Sequence, residues 1–336
     1  MRIAPGRHVA TERRPRRTVL AVVGVLIAVL AVIHTPAQSM APLTVGVAAD
    51  HVTDLDRFAR TTGAQIGIYE WYQAWEGAPP FDAARASSAV GRSALPMLTW
   101  EPWAPGGGSA QPRYALARIA DGSYDPYISD FAGQVRAWGG VIALRFAHEL
   151  NGNWYPWGSG VNGNTAEEAV AAWNHVRAVF AAQRTSNVLW VWCVNVQGAG
   201  AAALKSLYPG DGAVDWVALD GYNGGTALPW GGWLTPTQIF GSTLRAVRQL
   251  TRHPVVISEV ASAEQGGDKA AWIQALFTLA RKARVRAVIW FEYNKETDWR
   301  LLSNSHAADA FRQQVTARGR LGPPPLPERL QHLQPK

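Results

Sequence analysis

The sequence predicts a (β/α)8 TIM barrel in a single domain, and three observations predict it. Eight short apolar runs recur along the chain, most are followed by a loop and a helical pattern, and carboxylates and tryptophans gather just after the runs. The runs are Leu43–Ala48, Gln65–Tyr69, Leu95–Trp100, Val141–Phe146, Val188–Val194, Trp216–Asp220, Val255–Ser258 and Ala287–Phe291. Val188-Leu189-Trp190-Val191-Trp192 is apolar at every position instead of alternating, as expected of a strand covered on both faces. A doubly wound open sheet uses the same units, but eight strands in about 270 residues match the size and count of a barrel.

Between the runs the spacing predicts helices over Tyr124–Trp138, Ala166–Ala182, Thr237–Leu250, Ala270–Ala283 and Ala307–Arg318. The clearest is Ala166–Ala182, where Asn164 or Thr165 can cap the first turn and Glu167 and Glu168 suit the positive end of the helix dipole. Domain organisation follows: residues 1–39 form an export segment, 40–317 the barrel, and 318–336 a basic, proline-rich tail expected to be disordered.

The export segment has an arginine-rich start, an apolar stretch Val19–Ile33 and a small-x-small site at Ala37-Gln38-Ser39. It reads as a signal peptide with Arg16-Arg17 as a weak twin-arginine pointer, or, if uncleaved, as an anchor to the outer face of the membrane. A secreted protein is the expectation, with membrane contact only through that segment. The net charge of +7 lies in the termini, since residues 40–317 carry 22 basic and 23 acidic side chains. The body therefore offers no bulk cationic field for phosphate backbones, and nucleic acid is not an expected partner. Cys193 is the only cysteine, which excludes a disulfide scaffold, and its apolar run suggests a buried core thiol.

In a barrel the site forms at the carboxyl ends of the strands. There the second run leads into Glu70-Trp71-Tyr72, the third into Glu101-Pro102-Trp103, and the fourth into His148-Glu149 and then Trp154-Tyr155-Pro156-Trp157. The fifth leads to Asn195, the sixth ends at Asp220 before Tyr222, the seventh leads to Glu259, and the eighth holds Trp290 before Glu292. Aromatic faces beside hydrogen-bonding groups suit sugars. Breaking a glycosidic bond takes two carboxyl groups across the anomeric carbon. Glu149 and Glu259, three strands apart across the mouth, are the best pair.

Arg145-Phe146-Ala147-His148-Glu149-Leu150-Asn151-Gly152-Asn153-Trp154-Tyr155-Pro156-Trp157 resembles the acid/base segment of glycoside hydrolase family 26. Trp100-Glu101-Pro102-Trp103, the block Asp215–Tyr222, Ile257-Ser258-Glu259 and Asp298-Trp299-Arg300 match further blocks in order, so the likeness runs over about residues 43–315. That family has a (β/α)8 barrel and comprises endo-β-mannanases with some mixed-linkage β-glucanases and β-1,3-xylanases. The resemblance implies an endo-acting retaining glycosidase, with Glu149 as general acid/base and Glu259 as nucleophile. It implies His148 as a contact to the sugar at the cleavage point or to the catalytic machinery, Arg145 beneath the carboxylates, Tyr222 as hydrogen-bond partner of the nucleophile, and Trp154 and Trp290 as walls of the sugar subsites. Leu150 stands where methionine is commoner, a change that preserves volume.

Substrate-binding candidates are therefore His148, Arg145, Trp154, Tyr222, Trp290, Trp103 and Trp71, with Trp157, Trp230 and Trp233 as further platforms and Glu70, Glu101 and Asp220 as partners for hydroxyls or supports for loops. Trp138, Trp173 and Trp272 on helices, and Trp190 and Trp192, are assigned to the core; Glu292 receives no role. The His-Glu-x-x-His zinc spacing is missing, since the residue three after Glu149 is Gly152. No metal or cofactor is expected, because two glutamates suffice for acid/base and covalent catalysis. The expected substrate is β-mannan, with mixed-linkage β-glucan as the alternative. A carbohydrate-binding barrel without catalysis is a further alternative, and a monomer is expected.

Overall fold

A computed structural model describes residues 43–196, 201–316 and 324–333, which belong to a unit spanning Met40–Lys336. The expected export segment lies outside the described residues. Eight parallel strands close into a barrel in sequence order: β1 Thr44–Ala48, β2 Ile68–Ala74, β3 Leu95–Glu101, β4 Ile142–Phe146, β5 Val188–Asn195, β6 Trp216–Asn223, β7 Val255–Ser262 and β8 Ala287–Phe291. β1 pairs with β8 over Thr44–Ala48, which closes the ring. The barrel interior is crowded at Gly46, where a Cβ would stand 2.8 Å from Ile289 and 3.0 Å from Ile68.

Helices connect the strands: α1 Asp54–Thr62, α2 Ala83–Val90, α3 Leu116–Ala120, α4 Asp125–Trp138, α5 Ala166–Ala182, α6 Ala201–Leu207, α7 Pro236–Leu250, α8 Lys269–Lys282 and α9 Ser305–Thr316. α5 occupies its expected span, and the choice of cap resolves to Thr165. Its hydroxyl accepts from the Glu168 N–H while the Glu168 carboxylate accepts from the Thr165 N–H. Asn164 instead ties the loop below the site, accepting from Leu116 N–H and donating to the Pro156 and Gly158 carbonyls. Trp173, Trp190, Trp192 and Trp272 are buried, as assigned, while Trp138 is only half-buried.

Five strands run past their expected ends, β3 and β5 by a single residue. β2, β6 and β7 continue to Ala74, Asn223 and Ser262, so Glu70-Trp71-Tyr72, Gly221-Tyr222 and Glu259 are strand residues, not loop residues. Side chains then alternate between the barrel interior and the helices, a fact that decides which of them reach the mouth.

The tail departs from the expectation of disorder over residues 324–333. There α10, Glu328–Gln331, packs at the amino ends of β5 and β6, the face opposite the mouth. Leu330 is fully buried, Trp216 Nε1 donates to the Pro325 carbonyl at 3.0 Å, and Arg329 donates to the Val188 carbonyl at 3.1 Å and pairs with Asp215. The leucines that follow, buried Leu326 and Leu330 with partly buried Leu333, give the segment its apolar face.

Candidate active site

The carboxyl end of the barrel holds a buried polar cluster around one guanidinium. Arg145, fully buried on β4, donates Nε to Thr99 Oγ1 at 2.7 Å and Nη1 to Asp220 Oδ2 at 2.5 Å. Its Nη2 pairs with Glu70 Oε1 at 2.7 Å and with Glu259. Thr99 in turn donates to Glu70 Oε1 at 2.7 Å. Such a cation cannot touch a sugar, so the placement of Arg145 among substrate contacts is corrected, while it does lie beneath the carboxylates as the resemblance implied, and holds them.

Glu259 accepts from Arg145 and from the Tyr222 hydroxyl. Burial alone would raise its pKa, but the Arg145 charge and these hydrogen bonds bring it down to about 2. Glu149 has the opposite balance. Burial, followed by the charges of Asp220 and Glu259, pushes its carboxyl well above the usual range, although Asn195 Nδ2 and Trp154 Nε1 each donate to it at 2.6 Å. One oxygen each from Glu149, Asp220 and Glu259 lie within 4.8 Å of one another. A hard cation uses such oxygen donors, but the Arg145 guanidinium already neutralises two of the three.

The backbone presenting Glu149 is strained. Ala147 and Glu149 have φ of 46° and 54°, in the left-handed region that costs non-glycine residues about 1–3 kcal/mol each. Surrounding bonds over-determine it. Trp157 Nε1 donates to the His148 carbonyl at 2.6 Å, and the Asn151 and Asn195 amides are clamped by Asn195 N–H to Asn151 Oδ1 and Asn151 Nδ2 to the Asn195 carbonyl, both at 2.8 Å. Asn195 thus fixes both the Glu149 carboxyl and the loop that carries it. Sequence reading reached Asn195 as a strand end but missed this part.

His148 is buried, and burial followed by the Arg145 charge keeps its imidazole neutral. Its Nδ1 has no hydrogen-bond partner among the described residues and lies 3.9 Å from Glu101 Oε1. Tyr72, which had no expected role, turns its ring toward His148 at 6.3 Å and Phe291 at 6.2 Å, with its hydroxyl buried and without a hydrogen-bond partner among the described residues. Trp154 is 39% exposed beside Glu149, and half-buried Trp103 donates to Glu101 Oε2 at 3.2 Å. Trp157 is fully buried, stacked on Tyr155 with ring centroids 4.4 Å apart. Trp230 is 49% exposed on the loop after β6, where half-buried Trp233 rests against Gly267.

Besides the buried Trp157, two expected platforms do not reach the mouth. Trp290 is fully buried, donates to the Trp299 carbonyl at 3.2 Å and meets Phe311 of α9 edge-on; its neighbour Phe291 faces Tyr72 and Tyr222 instead. Trp71 is buried, stacked on Tyr69 with Arg85 of α2 6.0 Å from its ring. Both stand at outward positions of their strands. Glu292 accepts the N–H groups of Leu301 at 2.7 Å and Leu302 at 3.1 Å, anchoring the loop between β8 and α9.

Burial is the chief cause that pushes Glu70 up to about 8 and Asp220, Glu101 and Glu292 up to about 7. Unfolded carboxyls titrate near 4, so between about pH 4 and 8 the folded chain binds more protons and stability falls as pH rises. Glu259 acts oppositely, losing its contribution as pH drops from the ordinary carboxylate range toward about 2. Thermal midpoints measured from pH 2 to 9 should peak near about pH 4 and decline toward 8; a midpoint rising steadily from 4 to 8 would contradict these ionisation states.

A family model described as glycosyl hydrolase family 26 matches residues 126–316. Endoglucanase H of Acetivibrio thermocellus is 36% identical over 266 residues, covering 77% of this chain and 28% of that protein. Mannan endo-1,4-beta-mannosidase A and B of Caldalkalibacillus mannanilyticus is 34% identical over 90 residues, covering 25% of this chain and 17% of that protein. The chain thus spans less than a third of the length of these curated relatives. The solved GH26 beta-mannanase from Bacteroides ovatus superposes with a TM-score of 0.63 at 14% identity, over 82% of this chain and 89% of that one, a likeness of fold.

Proposed function

The chain belongs to glycosyl hydrolase family 26, and from that premise we propose that it is an endo-acting, retaining glycosidase that cleaves β-1,4 bonds in a mixed-linkage β-glucan. The observation that carries the mechanism is the pair of glutamates whose environments separate their protons. Glu259 is held ionised by Arg145 and Tyr222, and Glu149 is held protonated by burial beside two other carboxyls. One oxygen of each lies within 4.8 Å of one oxygen of the other, a close approach that supports double displacement over an inverting mechanism, which must leave room for a water between the carboxyls.

In the first step the Glu259 carboxylate attacks the anomeric carbon. The bond to the leaving oxygen breaks as the Glu149 proton passes to that oxygen, giving a glycosyl ester and a freed chain end. In the second, Glu149, now a carboxylate, takes a proton from water, which attacks the same carbon and releases Glu259. Asn195 and Trp154 keep the Glu149 carboxyl aimed through both steps. Exposed Trp154 offers a sugar platform at the acid/base side.

Glucan is favoured over mannan by the breadth of likeness to Endoglucanase H, 266 residues against 90 for the mannosidase. β-Mannan remains the second reading on the 34% identity of that shorter match. The arginine-rich start and apolar stretch Val19–Ile33 support export of the enzyme.

The test is reducing-sugar release by the purified chain on mixed-linkage β-glucan, β-mannan and β-1,3-xylan in parallel, with proton NMR of the first products. Fastest release from β-glucan with the β-anomer appearing first is expected. Silence on all three polymers would overturn the hydrolase reading, and an initial α-anomer would exclude retention.

A further inference from the structure

β7 carries an irregularity at the candidate nucleophile. Along β6 the pairing passes from Leu219↔Ile257 to Asp220↔Glu259, and along β8 from Ile257↔Val288 to Val260↔Trp290, so β7 holds one extra residue on both sides. In a regular strand consecutive side chains face opposite ways; a bulge lets two neighbours face the same way. Here Ser258 and Glu259 both point into the barrel. Glu259 meets Arg145 and Tyr222, while Ser258 Oγ donates to Asp220 Oδ1 at 2.5 Å and lies 3.6 Å from Cys193 Sγ.

Asp220 stands between the two halves of the machinery. Its Oδ2 accepts from Arg145 Nη1 at 2.5 Å and from the Cys193 thiol at 3.0 Å, and its carboxyl lies within 4.8 Å of both Glu149 and Glu259. Whatever charge Asp220 carries is therefore felt by Glu149. We propose that Ser258 is a positioning residue of the reaction: turned inward by the bulge, its hydroxyl holds Asp220 as a carboxylate, and that charge keeps the proton on Glu149 until the glycosidic oxygen takes it. The proposal rests on the assignment of Glu149 as acid/base.

The balance around Asp220 is close, so one donor matters. Facing it are Arg145 of β4, Cys193 of β5, Glu259 of β7 and Glu70 of β2, while Glu149 additionally faces Tyr155 and Tyr222. Burial and the neighbouring carboxylate push Asp220 toward the neutral form; Arg145, Cys193 and Ser258 pull it back. With Ser258 Oγ gone, Asp220 takes its proton at higher pH. Glu149 then loses a repelling neighbour and releases its own proton at lower pH.

The experiment uses the full chain as Ser258→Ala, Ser258→Thr and Cys193→Ala, each checked by circular dichroism and thermal melting. Titration of Glu149 by carboxyl 13C NMR, assigned with Glu149→Gln, needs no activity. Its midpoint should fall in Ser258→Ala, because Asp220, having lost one hydrogen bond to a buried charge, takes its proton at a pH higher by about one unit. It should fall by less in Cys193→Ala, because a thiol is the weaker donor, and stay near wild type in Ser258→Thr, which keeps the hydroxyl. On an active substrate the basic limb of the kcat/KM profile should move in parallel. An unchanged midpoint in folded Ser258→Ala and Cys193→Ala, even with lower stability or kcat, would overturn the proposal and leave both side chains as packing. Wild-type silence on every glycan would remove the assigned reaction, yet the NMR midpoints would still decide whether Ser258 controls the Glu149 proton.

Discussion

Glu259→Gln should leave the barrel folded and reduce turnover on polysaccharide by a factor on the order of 10⁵ to 10⁶, the scale seen when a covalent nucleophile is removed from machinery that acts as a unit. The amide preserves the shape of the side chain, and Arg145 keeps Glu70 and Asp220 as charged or polar partners, so the loss is chemical. What disappears is the one carboxylate that Arg145 and Tyr222 hold ionised to about pH 2. The glycosyl ester can no longer form. In Glu259→Ala the vacated space opens a further check: a small anion such as azide can attack the anomeric carbon from the face the carboxylate used. With an activated β-glycoside the expected product is the α-glycosyl azide. Retention of more than about one hundredth of wild-type turnover by Glu259→Gln would remove Glu259 from its role, since losses of that size belong to supporting contacts and not to nucleophiles.

The fold and the glutamate pair were legible because they rest on signals hydropathy carries well. Eight buried strands separated by amphipathic helices leave a periodic record in the sequence, and the first carboxylates after β4 and near the top of β7 stand out against it. What hydropathy cannot report is where a strand stops once its inward side chains become polar. The hydrogen-bond ladder of β2 continues through Glu70, Trp71 and Tyr72 to Ala74. Reading those residues as a loop left all three free to face the mouth. As strand residues they alternate, which sends Glu70 and Tyr72 inward and Trp71 out against α2. The same parity turns Trp290 toward α9 and gives the mouth Phe291. Knowing that Arg145 faces inward would have been enough to phase its neighbours.

Other misses have different causes. Cys193 reads as apolar, so its run suggests plain core; in the barrel it sits at an inward position next to Asp220 and acts as a hydrogen-bonding thiol, which burial holds protonated. The β7 bulge adds a single residue and changes neither length nor hydropathy enough to be seen, although it alone explains why Ser258 and Glu259 share a face. Asn195 was visible as the polar end of β5, but its pairing with Asn151 joins residues 44 positions apart and becomes evident only when the strands are side by side.

Glu149→Ala should divide substrates by their need for a proton. On polysaccharide, where the leaving group is a sugar hydroxyl, kcat/KM should fall by about 10²–10⁴-fold, the usual contribution of a positioned general acid. On an aryl β-glycoside with an acidic phenol as leaving group, the first step should proceed close to its wild-type rate, because the leaving oxygen departs without protonation. The second step then becomes slow, since no carboxylate remains to take the proton from water, and an initial burst of phenol should precede a low steady rate. The pH profile supplies an independent check. If Glu149 is the proposed acid, wild-type activity should be lost as pH rises through its elevated pKa; in Glu149→Ala the first step on the aryl substrate should lose that basic limb. Equal losses on both substrates, or a basic limb unchanged in the variant, would show that Glu149 holds no transferable proton. The environment argues for the split: Asn195 and Trp154 donate to the carboxyl at 2.6 Å without neutralising it, while Asp220 and Glu259 within 4.8 Å make its ionisation costly until the covalent step consumes the Glu259 charge. In the proposed mechanism, formation of the glycosyl ester would thus lower the affinity of Glu149 for its proton at the moment the leaving group receives it, and would leave a carboxylate in place to act as base on the water that follows.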